Sequence, residues 1–513
     1  MRNQLGPWQS LFRRANDLSP QRPPLSGCEL FPSAVCALGK PLENFTALLQ
    51  DQCTAFGAIC LAASFIYLRS FVSSDKLTHL HSMKTNTRTH RLLGAFHLVI
   101  AIAVCAGPAF AADWPQWLGP QRNGISKESG LLKEWPKEGP KLAWQAKEIG
   151  SGYSTPAVVG DRVYLLGNEG MENEFVQALA AQDGKQVWRT RLGNVGNPKQ
   201  QPSFPAARST PTVDGDLLYA LGSDGDLACV ERVTGKLRWQ KNLRTHFGGK
   251  PGTWAYSESP LIDGDTLVCT PGGADATVVA LNKKTGETLW KTALSTEDEA
   301  AYTSAIVVET GGVRQYVQML QKGLVSLDAK TGKLLWRYEK TVSKFRANIP
   351  SPAARDNLVY SAGAGTGGGL VRLKVNGDAV DSEQVYFSPK LPSGVGGAIL
   401  VGDCLYGTGS QGMLCAEFAT GNIKWDDRAT GAASLCYADD RIYVHSENGE
   451  VVLVEPSTEG YREKGRFNPP DQPKRNGPME KAWSYPLVAN GRLYIRDLNM
   501  LWCYDVRSSL AAK

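Results

Sequence analysis

Chemistry-bearing histidines are scarce in this sequence. Only 6 of its 513 residues are histidine, and four of those precede residue 100. The two that remain, His246 and His445, are too few for a histidine-rich zinc site. They also offer little from which to build a Ser-His-Asp triad. We therefore expect both histidines to be loop or surface residues rather than ligands.

Cysteine motifs are missing as well. The sequence has 11 cysteines, but no Cys-x-x-Cys motif and no two adjacent cysteines. In the repeats described below, Cys229, Cys415 and Cys503 occupy a position that Ala or Ser holds elsewhere. We expect them to be small core residues. Formation of a disulfide bond is an alternative, because the sequence does not show which thiols would pair.

Strong charge and regular helix patterns are also absent. The net charge is +6, and no basic block interleaved with aromatic residues occurs, which argues against nucleic acid as a partner. No repeat unit reads as an amphipathic helix, so a fold built from βαβ units is excluded. The sequence does contain 53 glycines, 29 prolines, 13 tryptophans and 17 tyrosines, a composition typical of short strands joined by tight turns.

A complete secretory leader occupies residues 83–111. It has a basic region after Met83, an apolar core at 92–105 and an Ala-Phe-Ala cleavage motif at 109–111. The apolar core is too short to span a bilayer comfortably. The sequence therefore predicts a periplasmic or secreted protein whose mature chain starts at Ala112 or Asp113.

Residues 1–82 are then an extension upstream of the true start, untranslated or disordered. The alternative is a genuine membrane segment at 55–68, which is short for a bilayer span. Lipidation is not expected, because Val104 rather than a small residue precedes Cys105.

One short phrase recurs five times and decides the fold class. It runs from a glycine to a tryptophan four residues later, and the tryptophans are Trp188, Trp239, Trp290, Trp336 and Trp425. Their spacings are 51, 51, 46 and 89 residues, the last being two repeats. The glycine suits a turn that needs a positive φ, and the indole can fill the gap between neighbouring sheets.

A second phrase, Ser-x-Pro followed by a Gly-Asp turn, lies upstream of the first. Its clearest copies begin at Ser154 and Ser209, and unit starts fall near residues 154, 209, 257, 303, 350, 396, 433 and 484. Each unit reads as four short strands. The sequence therefore predicts an all-β fold, an eight-bladed β-propeller of four-stranded antiparallel blades over residues 112–507, with a tail at 508–513.

The last unit lacks its outer strand, and the N-terminal region supplies a match. Residues 139–144 resemble the glycine-to-tryptophan phrase. We expect this N-terminal strand to complete blade eight and close the ring. Blades five (350–387) and seven (433–467) are degenerate, and Phe467 stands where blade seven should carry its tryptophan.

The phrase at 326–336, Ser-Leu-Asp-Ala-Lys-Thr-Gly-Lys-Leu-Leu-Trp, resembles the repeat of pyrroloquinoline-quinone (PQQ) propellers. Two groups share that repeat: the quinoprotein alcohol and glucose dehydrogenases, and the non-enzymatic BamB-like proteins that assist outer-membrane protein assembly. The opening at 113–124 also resembles the start of secreted bacterial PQQ-binding-like β-propeller repeat proteins. This resemblance covers residues 113–507 and implies the fold, whereas one fold hosts many functions.

The residue before each Ser-x-Pro position should encircle the mouth of the central channel, because the inner strands begin there. Around the ring this column reads Tyr153, Arg208, Tyr256, Tyr302, Ile349, Val395, Ala432 and Trp483. Its aromatic and arginine half could bind a protein segment or a small ligand. The alternative is packing between neighbouring inner strands.

The longest connections between blades converge on the same sector. They are residues 193–208, 243–256 and 468–483, and they flank blades eight, one, two and three. The second connection carries Trp254, and the third is rich in proline and basic residues. We therefore predict a ligand- or partner-binding site formed by Tyr153, Arg208, Trp254, Tyr256, Tyr302 and Trp483.

The resemblance to quinoproteins implies a competing function. Those dehydrogenases bind PQQ above a tryptophan, with calcium held by Glu, Asn and Asp side chains. Here Glu258 and Asn348 would be the metal ligands, but calcium takes six to eight oxygens. We expect instead a BamB-like binding or assembly scaffold that is monomeric, envelope-associated, non-catalytic and free of cofactor. PQQ-dependent oxidation of alcohols or sugars is the alternative.

Overall fold

The computed structural model describes residues 112–199, 205–294, 298–377, 379–409 and 411–508. The predicted leader at 83–111 and the predicted extension at 1–82 lie outside these ranges, as does the predicted tail after residue 508. Across the described ranges no helix is long and apolar enough to cross a membrane.

The described residues form short strands grouped into blades. Strand β1 (Lys141–Ala146) comes first in the chain and belongs to the last blade. The strands of blades one to four are β2 (Ala157–Val159), β3 (Arg162–Glu169), β4 (Asn173–Ala180), β5 (Gln186–Gly193), β6 (Thr212–Asp214), β7 (Leu217–Leu221), β8 (Asp226–Glu231), β9 (Leu237–Asn242), β10 (Leu261–Asp263), β11 (Thr266–Cys269), β12 (Val278–Asn282), β13 (Thr288–Thr292), β14 (Ile306–Thr310), β15 (Val313–Leu320), β16 (Gly323–Asp328) and β17 (Leu334–Tyr338). A one-turn helix, α1 (Leu243–Phe247), follows β9.

Blades five to eight continue the same pattern. Their strands are β18 (Ala353–Arg355), β19 (Leu358–Gly363), β20 (Gly367–Asn376), β21 (Ala379–Ser388), β22 (Ala398–Val401), β23 (Cys404–Thr408), β24 (Met413–Glu417), β25 (Ile423–Asp427), β26 (Ala433–Ala438), β27 (Arg441–Ser446), β28 (Val451–Val454), β29 (Glu463–Phe467), β30 (Leu487–Ala489), β31 (Arg492–Asp497) and β32 (Met500–Asp505).

Each blade is a four-stranded antiparallel sheet. In the described part of the chain, seven sheets hold four consecutive strands, such as β2-β3-β4-β5, and the eighth has the order β1-β32-β31-β30. The first strands of neighbouring blades contact one another, for example β2 with β6 and β22 with β26. These first strands therefore surround the central channel, and the predicted eight-bladed propeller is confirmed.

The N-terminal strand closes the ring, as the sequence predicts. β1 pairs with β32 in a register that sets Trp144 opposite Cys503. The same register sets Trp239 opposite Cys229 in blade two. β1 therefore takes the place of the missing outer strand, and the two ends of the propeller are joined within one sheet.

In blades one, two, three and six the tryptophan of the recurring phrase joins the outer strand to the next blade. In blade four the Trp336 indole N–H donates instead to the Gln315 side chain of its own blade. The indole N–H of Trp188 donates to the carbonyl of Arg232 at 3.1 Å, and that of Trp239 donates to the carbonyl of Lys283 at 3.0 Å. Both carbonyls lie just before the phrase glycine of the following blade. A Cβ at Gly235, whose φ is 72°, would lie 2.5 Å from the Trp188 ring. Only glycine lets the turn approach the ring this closely.

Blade seven lacks this tryptophan and is completed from another part of the chain. The register of β29 places Gly465, not Phe467, opposite Leu453 at the tryptophan position, so our assignment of Phe467 was wrong by two residues. A Cβ at Gly465 would lie 2.6 Å from the Cβ of Trp135. The Trp135 ring lies 5.9 Å from the Tyr443 ring and 5.3 Å from the Phe467 ring, measured between centroids. Trp135 thus fills the gap that the phrase tryptophan fills elsewhere.

Blade five keeps the fastening with a different aromatic residue. Tyr386 lies opposite Leu370, at the position that tryptophan holds in other blades. Its hydroxyl donates to the carbonyl of Phe418 in blade six at 2.8 Å. Degeneracy in the repeat therefore changes the residue but keeps the contact between blades.

The hydrophobic core lies between the blades rather than at a single centre. Buried side chains of β3 and β4 pack against those of β7 and β8, and the next interface repeats the arrangement. All six cysteines of the described residues are buried free thiols. Burial raises the pKa of Cys229 to about 11, so this thiol packs as a core residue and is not a reactive group.

Candidate functional site

The mouth of the central channel holds a cavity of about 130 Å³. Its wall includes residues that precede inner strands: Tyr153 before β2, Arg208 before β6, Tyr302 before β14 and Trp483 before β30. Trp254 enters from the connection between blades two and three. The other lining residues are Trp117, Ser257, Ser304, Ala347, Ile349, Val395, Met479 and Tyr485. Five of the six residues that the sequence indicated therefore meet around one cavity.

One wall of the cavity joins Tyr153, Trp483 and Arg208. The Tyr153 and Trp483 ring centroids are 5.1 Å apart, and the Arg208 guanidinium carbon lies 5.0 Å from the Tyr153 centroid. Trp483 is oriented by its indole N–H, which donates to the Glu447 carboxylate at 3.2 Å. This wall presents aromatic faces beside a cation, a surface that suits an aromatic or apolar group.

The Tyr153 hydroxyl is buried in this wall without a hydrogen-bond partner among the described residues. Burial raises the pKa of Tyr153 to about 12, although nearby Arg208 lowers it. The hydroxyl therefore keeps its proton at neutral pH and can both donate and accept. Leaving such a group unpaired is costly, and a ligand in the cavity can supply the missing bond.

A second wall is built by Trp254 and Tyr302. Their rings meet edge to face, with centroids 5.7 Å apart, and the Trp254 backbone N–H donates to the Tyr302 hydroxyl at 3.2 Å. A Cβ at Gly252 would lie 2.2 Å from that hydroxyl. The glycine thus lets the connection approach the inner strands and brings Trp254 to the cavity.

The floor comes from the N-terminal segment, which sequence reasoning did not assign to the site. Trp114 pairs with Val158 of β2, and the Pro115 carbonyl accepts the Val213 N–H of β6. The Trp117 indole N–H donates to the Ser351 hydroxyl at 3.1 Å. The Trp117 ring packs edge to face on Tyr485, with centroids 4.6 Å apart. The two rings form the bottom of the cavity.

Arg122 fixes this segment in place. Its guanidinium donates to the carbonyls of Ser259 and Pro260 at 2.9 and 3.1 Å. Burial lowers the pKa of Arg122 to about 10, and Glu258 opposes that effect. The opening Asp-Trp-Pro-Gln-Trp phrase is therefore part of the propeller structure and shapes the cavity from below.

Tyr256 does not reach the cavity, and its assignment to the channel column was wrong. The pairing of β10 with β11 aligns Ser257, rather than Tyr256, with Arg208 of blade two. Tyr256 is 1 % exposed, and its hydroxyl donates to the carbonyl of Pro271 at 2.8 Å. A shift of one residue moves a side chain to the other side of the chain, so Tyr256 packs in the core between blades.

His445 is also not the loop or surface residue that we expected. It lies in β27 and is fully buried, with Nδ1 2.9 Å from the Ser484 carbonyl oxygen. Burial lowers the pKa of His445, so the ring is neutral. The nearby Arg475 and Asp497 form a two-bond ion pair at 2.8 and 2.5 Å. These contacts hold the 468–483 connection and so position Trp483. His246, in contrast, is exposed in α1, as expected.

Glu258 and Asn348, the residues considered for calcium, are used within the blades. The Glu258 carboxylate accepts hydrogen bonds from the Thr270 amide at 2.7 Å and the Gln318 side chain at 3.1 Å. The Asn348 side chain donates to the carbonyl of Leu320 at 2.8 Å. In the residues that the structure describes, no group of three or more His, Cys, Asp or Glu side chains could hold a metal ion. These residues do not match the calcium cage of a quinoprotein site.

A groove of about 820 Å³ adjoins the cavity on the side of blades five to seven. It shares Ile349 and Val395 with the cavity, and Glu447, the acceptor of the Trp483 N–H, lines it. Its charged residues are of both signs, namely Lys390, Asp426, Asp427, Arg428 and Glu447. The long connections had directed attention to the opposite sector, whereas short connections here leave open space.

The three largest cavity residues that the sequence did not indicate, Trp117, Tyr485 and Met479, were missed for different reasons. Trp117 lies outside the repeats, so no column contains it. Tyr485 occupies the middle position of the Ser-x-Pro phrase, which is Thr in blades one and two, and this departure was a signal that could have been used. Met479 lies in the 468–483 connection, where no periodic pattern marks it.

A family model described as outer membrane protein assembly factor BamB matches residues 125–272 and 250–460. The BamB protein of Burkholderia pseudomallei is 28% identical over 363 residues, which cover 61% of this chain and 87% of that protein. The quinoprotein alcohol dehydrogenase PedH of Pseudomonas putida is 24% identical over 281 residues, covering 52% of this chain and 45% of PedH. The crystal structure of BamB from Moraxella catarrhalis has a TM-score of 0.49 and 16% identity, covering 69% of this chain and 94% of that one.

Proposed function

The chain belongs to the family of outer membrane protein assembly factor BamB, and on this premise we propose that it is a non-catalytic binding scaffold of the cell envelope. It acts in the periplasm or outside the cell, as a monomer, after removal of its leader. Its channel mouth binds an extended segment of a partner protein. One aromatic or long apolar side chain of that segment enters the cavity, and the flanking chain lies along the groove.

The observation that carries the proposal is the continuity of the cavity with the groove. The cavity is small and walled by aromatic rings and Arg208, which are the residue types that dominate protein interfaces. The groove offers length and charges of both signs. An anchor pocket that opens into a longer polar groove suits a polypeptide better than an isolated small molecule.

A PQQ-dependent oxidoreductase is the competing function, and similarity to PedH is what favours it. Glu258 and Asn348 are the residues that would hold calcium. Their side chains instead form hydrogen bonds within the blades.

The proposal can be tested with short peptides tiled over the envelope proteins of the source organism. Peptides that bind the purified protein are remeasured by fluorescence anisotropy with the Arg208→Ala, Trp254→Ala and Trp483→Ala variants. Each change should weaken binding by more than about 1 kcal/mol, roughly fivefold, while leaving the melting curve nearly unchanged. Replacing the peptide's aromatic residue with alanine should weaken binding to a similar extent.

Tyr256→Phe is the matched control, because it changes a buried tyrosine that lies off the cavity. It should cost about 1 kcal/mol of stability through the lost hydrogen bond to Pro271 and leave peptide binding intact. Equal peptide affinity of wild type and all three mouth variants would discard the site. A new absorption band, with dye reduction by alcohols or sugars after addition of PQQ and Ca²⁺, would establish the competing function instead.

A further inference from the structure

Glu128 is a buried carboxylate that lacks a cationic partner. It is 7% exposed and forms no ion pair with any side chain in the described ranges. It accepts two backbone hydrogen bonds from the turn between β30 and β31, from Asn490 at 2.8 Å and from Gly491 at 2.9 Å. Burying a carboxylate without a counter-charge is unfavourable, so a missing cation needs an explanation.

The third donor to Glu128 is the backbone nitrogen of Ala112. This nitrogen lies 2.5 Å from the Glu128 Oε1 atom. The next residue is also fixed, because the Asp113 carboxylate accepts the Gly160 N–H at 2.8 Å. Ala112 is the residue that the Ala-Phe-Ala motif at 109–111 predicts to follow the cleavage point.

We propose that Glu128 is the binding site for the new N-terminal ammonium group created when the leader is removed. A signal peptidase adds water across the Ala111–Ala112 peptide bond, which leaves a carboxylate on Ala111 and an α-ammonium on Ala112. The nitrogen that donates to Glu128 as a neutral amide then does so as a cation. The charge-assisted bond supplies the missing counter-charge and ties the start of the mature chain to blade eight.

This inference rests on cleavage at 111–112 and not on partner binding at the mouth. The full chain is expressed with its leader, and the mature protein recovered from the envelope is identified by intact mass. Four forms are compared: wild type, Glu128→Gln, a chain with one glycine inserted between Ala112 and Asp113, and the combination. The insertion moves the ammonium outward by one residue and keeps a backbone N–H for Glu128.

The expected coupling appears in two readouts. Glu128→Gln should lower the melting temperature by roughly 2 °C more in the natural background than in the insertion background. An amine-acylating reagent should label the α-amino group several-fold more slowly in wild type than in the Glu128→Gln variant or the glycine-insertion variant. Glu138→Gln, which changes an exposed carboxylate of the same segment, should alter neither readout.

Three results would overturn the inference: a mature N-terminus at any residue other than Ala112, equal labelling rates in all forms, or equal effects of Glu128→Gln in both backgrounds. The insertion chain alone keeps the test decisive if Glu128→Gln prevents folding, because its labelling rate is compared directly with that of wild type. A protein that shows the coupling but binds no peptide would refute the proposed function only.

Discussion

Two sets of aromatic residues in this propeller have different positions: one packs between blades, and the other lines the cavity at the channel mouth. The first set, represented by Trp135 and Trp144, comes from the N-terminal segment and packs between blades with 7% and 8% exposure. The second set, represented by Trp254 and Trp483, is half-buried and turns toward the cavity. Tryptophan content alone does not separate core from site, because both sets lie next to inner or outer strands and both make aromatic contacts.

The two sets differ in whether their rings are fully packed in the core or border an open cavity. The Trp144 ring packs in the core between blades eight and one, and its N–H donates to the Ala181 carbonyl at 2.8 Å. The mouth rings stand around open space, beside a Tyr153 hydroxyl without a partner among the described residues. Substitutions in the first set should therefore cost stability, and substitutions in the second should cost binding.

The largest expected effect is on the first set. Trp144→Ala and Trp135→Ala should each lower the free energy of unfolding by roughly 3–5 kcal/mol, because each removes a buried ring from between two sheets. Urea unfolding followed by intrinsic fluorescence measures this loss. Peptide binding by the folded fraction should be unchanged, and a Trp144→Ala protein as stable as wild type would contradict closure of the ring by β1.

The second largest expected effect concerns Glu258 and the pH dependence of the free energy of unfolding. Burial raises its pKa to about 8, although the Thr270 hydrogen bonds and Arg122 lower it. The folded state thus favours the protonated carboxyl. The stability that this protonation contributes is fully present below the unfolded-state pKa of about 4.5, and it is lost as the pH rises through the folded-state pKa of about 8.

Glu258→Gln should therefore lose less stability than wild type between pH 5 and pH 9, by on the order of 3 kcal/mol. Urea midpoints at both pH values check the difference. Glu138→Gln, an exposed change, should follow the wild-type profile. Parallel stability profiles for wild type and Glu258→Gln would show that Glu258 stays ionised in the folded protein. The hydrogen bonds that Thr270 donates to its carboxylate favour that ionised form.

The sequence was informative where the physics is local and periodic. The phrase glycine and tryptophan lie four residues apart, in one turn and the strand that follows it, so their constant spacing predicted the outer strands, the eight blades and the match of residues 139–144 to the missing strand. Blade seven shows the limit. Gly465 is explained only by Trp135, which comes from more than three hundred residues earlier in the chain.

The site was only partly predictable for the same reason. Tyr153, Arg208 and Trp483 follow from their positions before the inner strands, and a one-residue misalignment in blade three replaced Ser257 with Tyr256. His445 was misjudged because a lone histidine carries no periodic signal, whereas every residue of β27 from Ile442 to Ser446 is buried. The floor could not be inferred, since Trp117 belongs to no repeat.

Trp117 stands between the two sets and should show both effects on a smaller scale. Trp117→Ala removes the hydrogen bond to Ser351 and the contact with Tyr485, so it should cost about 1–2 kcal/mol of stability. It also opens the floor, so peptide affinity should fall. Trp117→Phe should restore much of the affinity without the hydrogen bond. Loss of stability with unchanged affinity would place Trp117 wholly in the first set.

Site-specific photo-crosslinking in the intact envelope tests the central claim most directly. A photoreactive amino acid replaces Met479, which lines the cavity, or Val187, which is exposed on the outer strand of blade one. We expect a defined polypeptide adduct from position 479 that disappears when Arg208→Ala and Trp483→Ala are combined, and none from position 187. Adducts from position 187 alone, or equal adducts from position 479 with and without the two mouth substitutions, would contradict a binding site at the channel mouth.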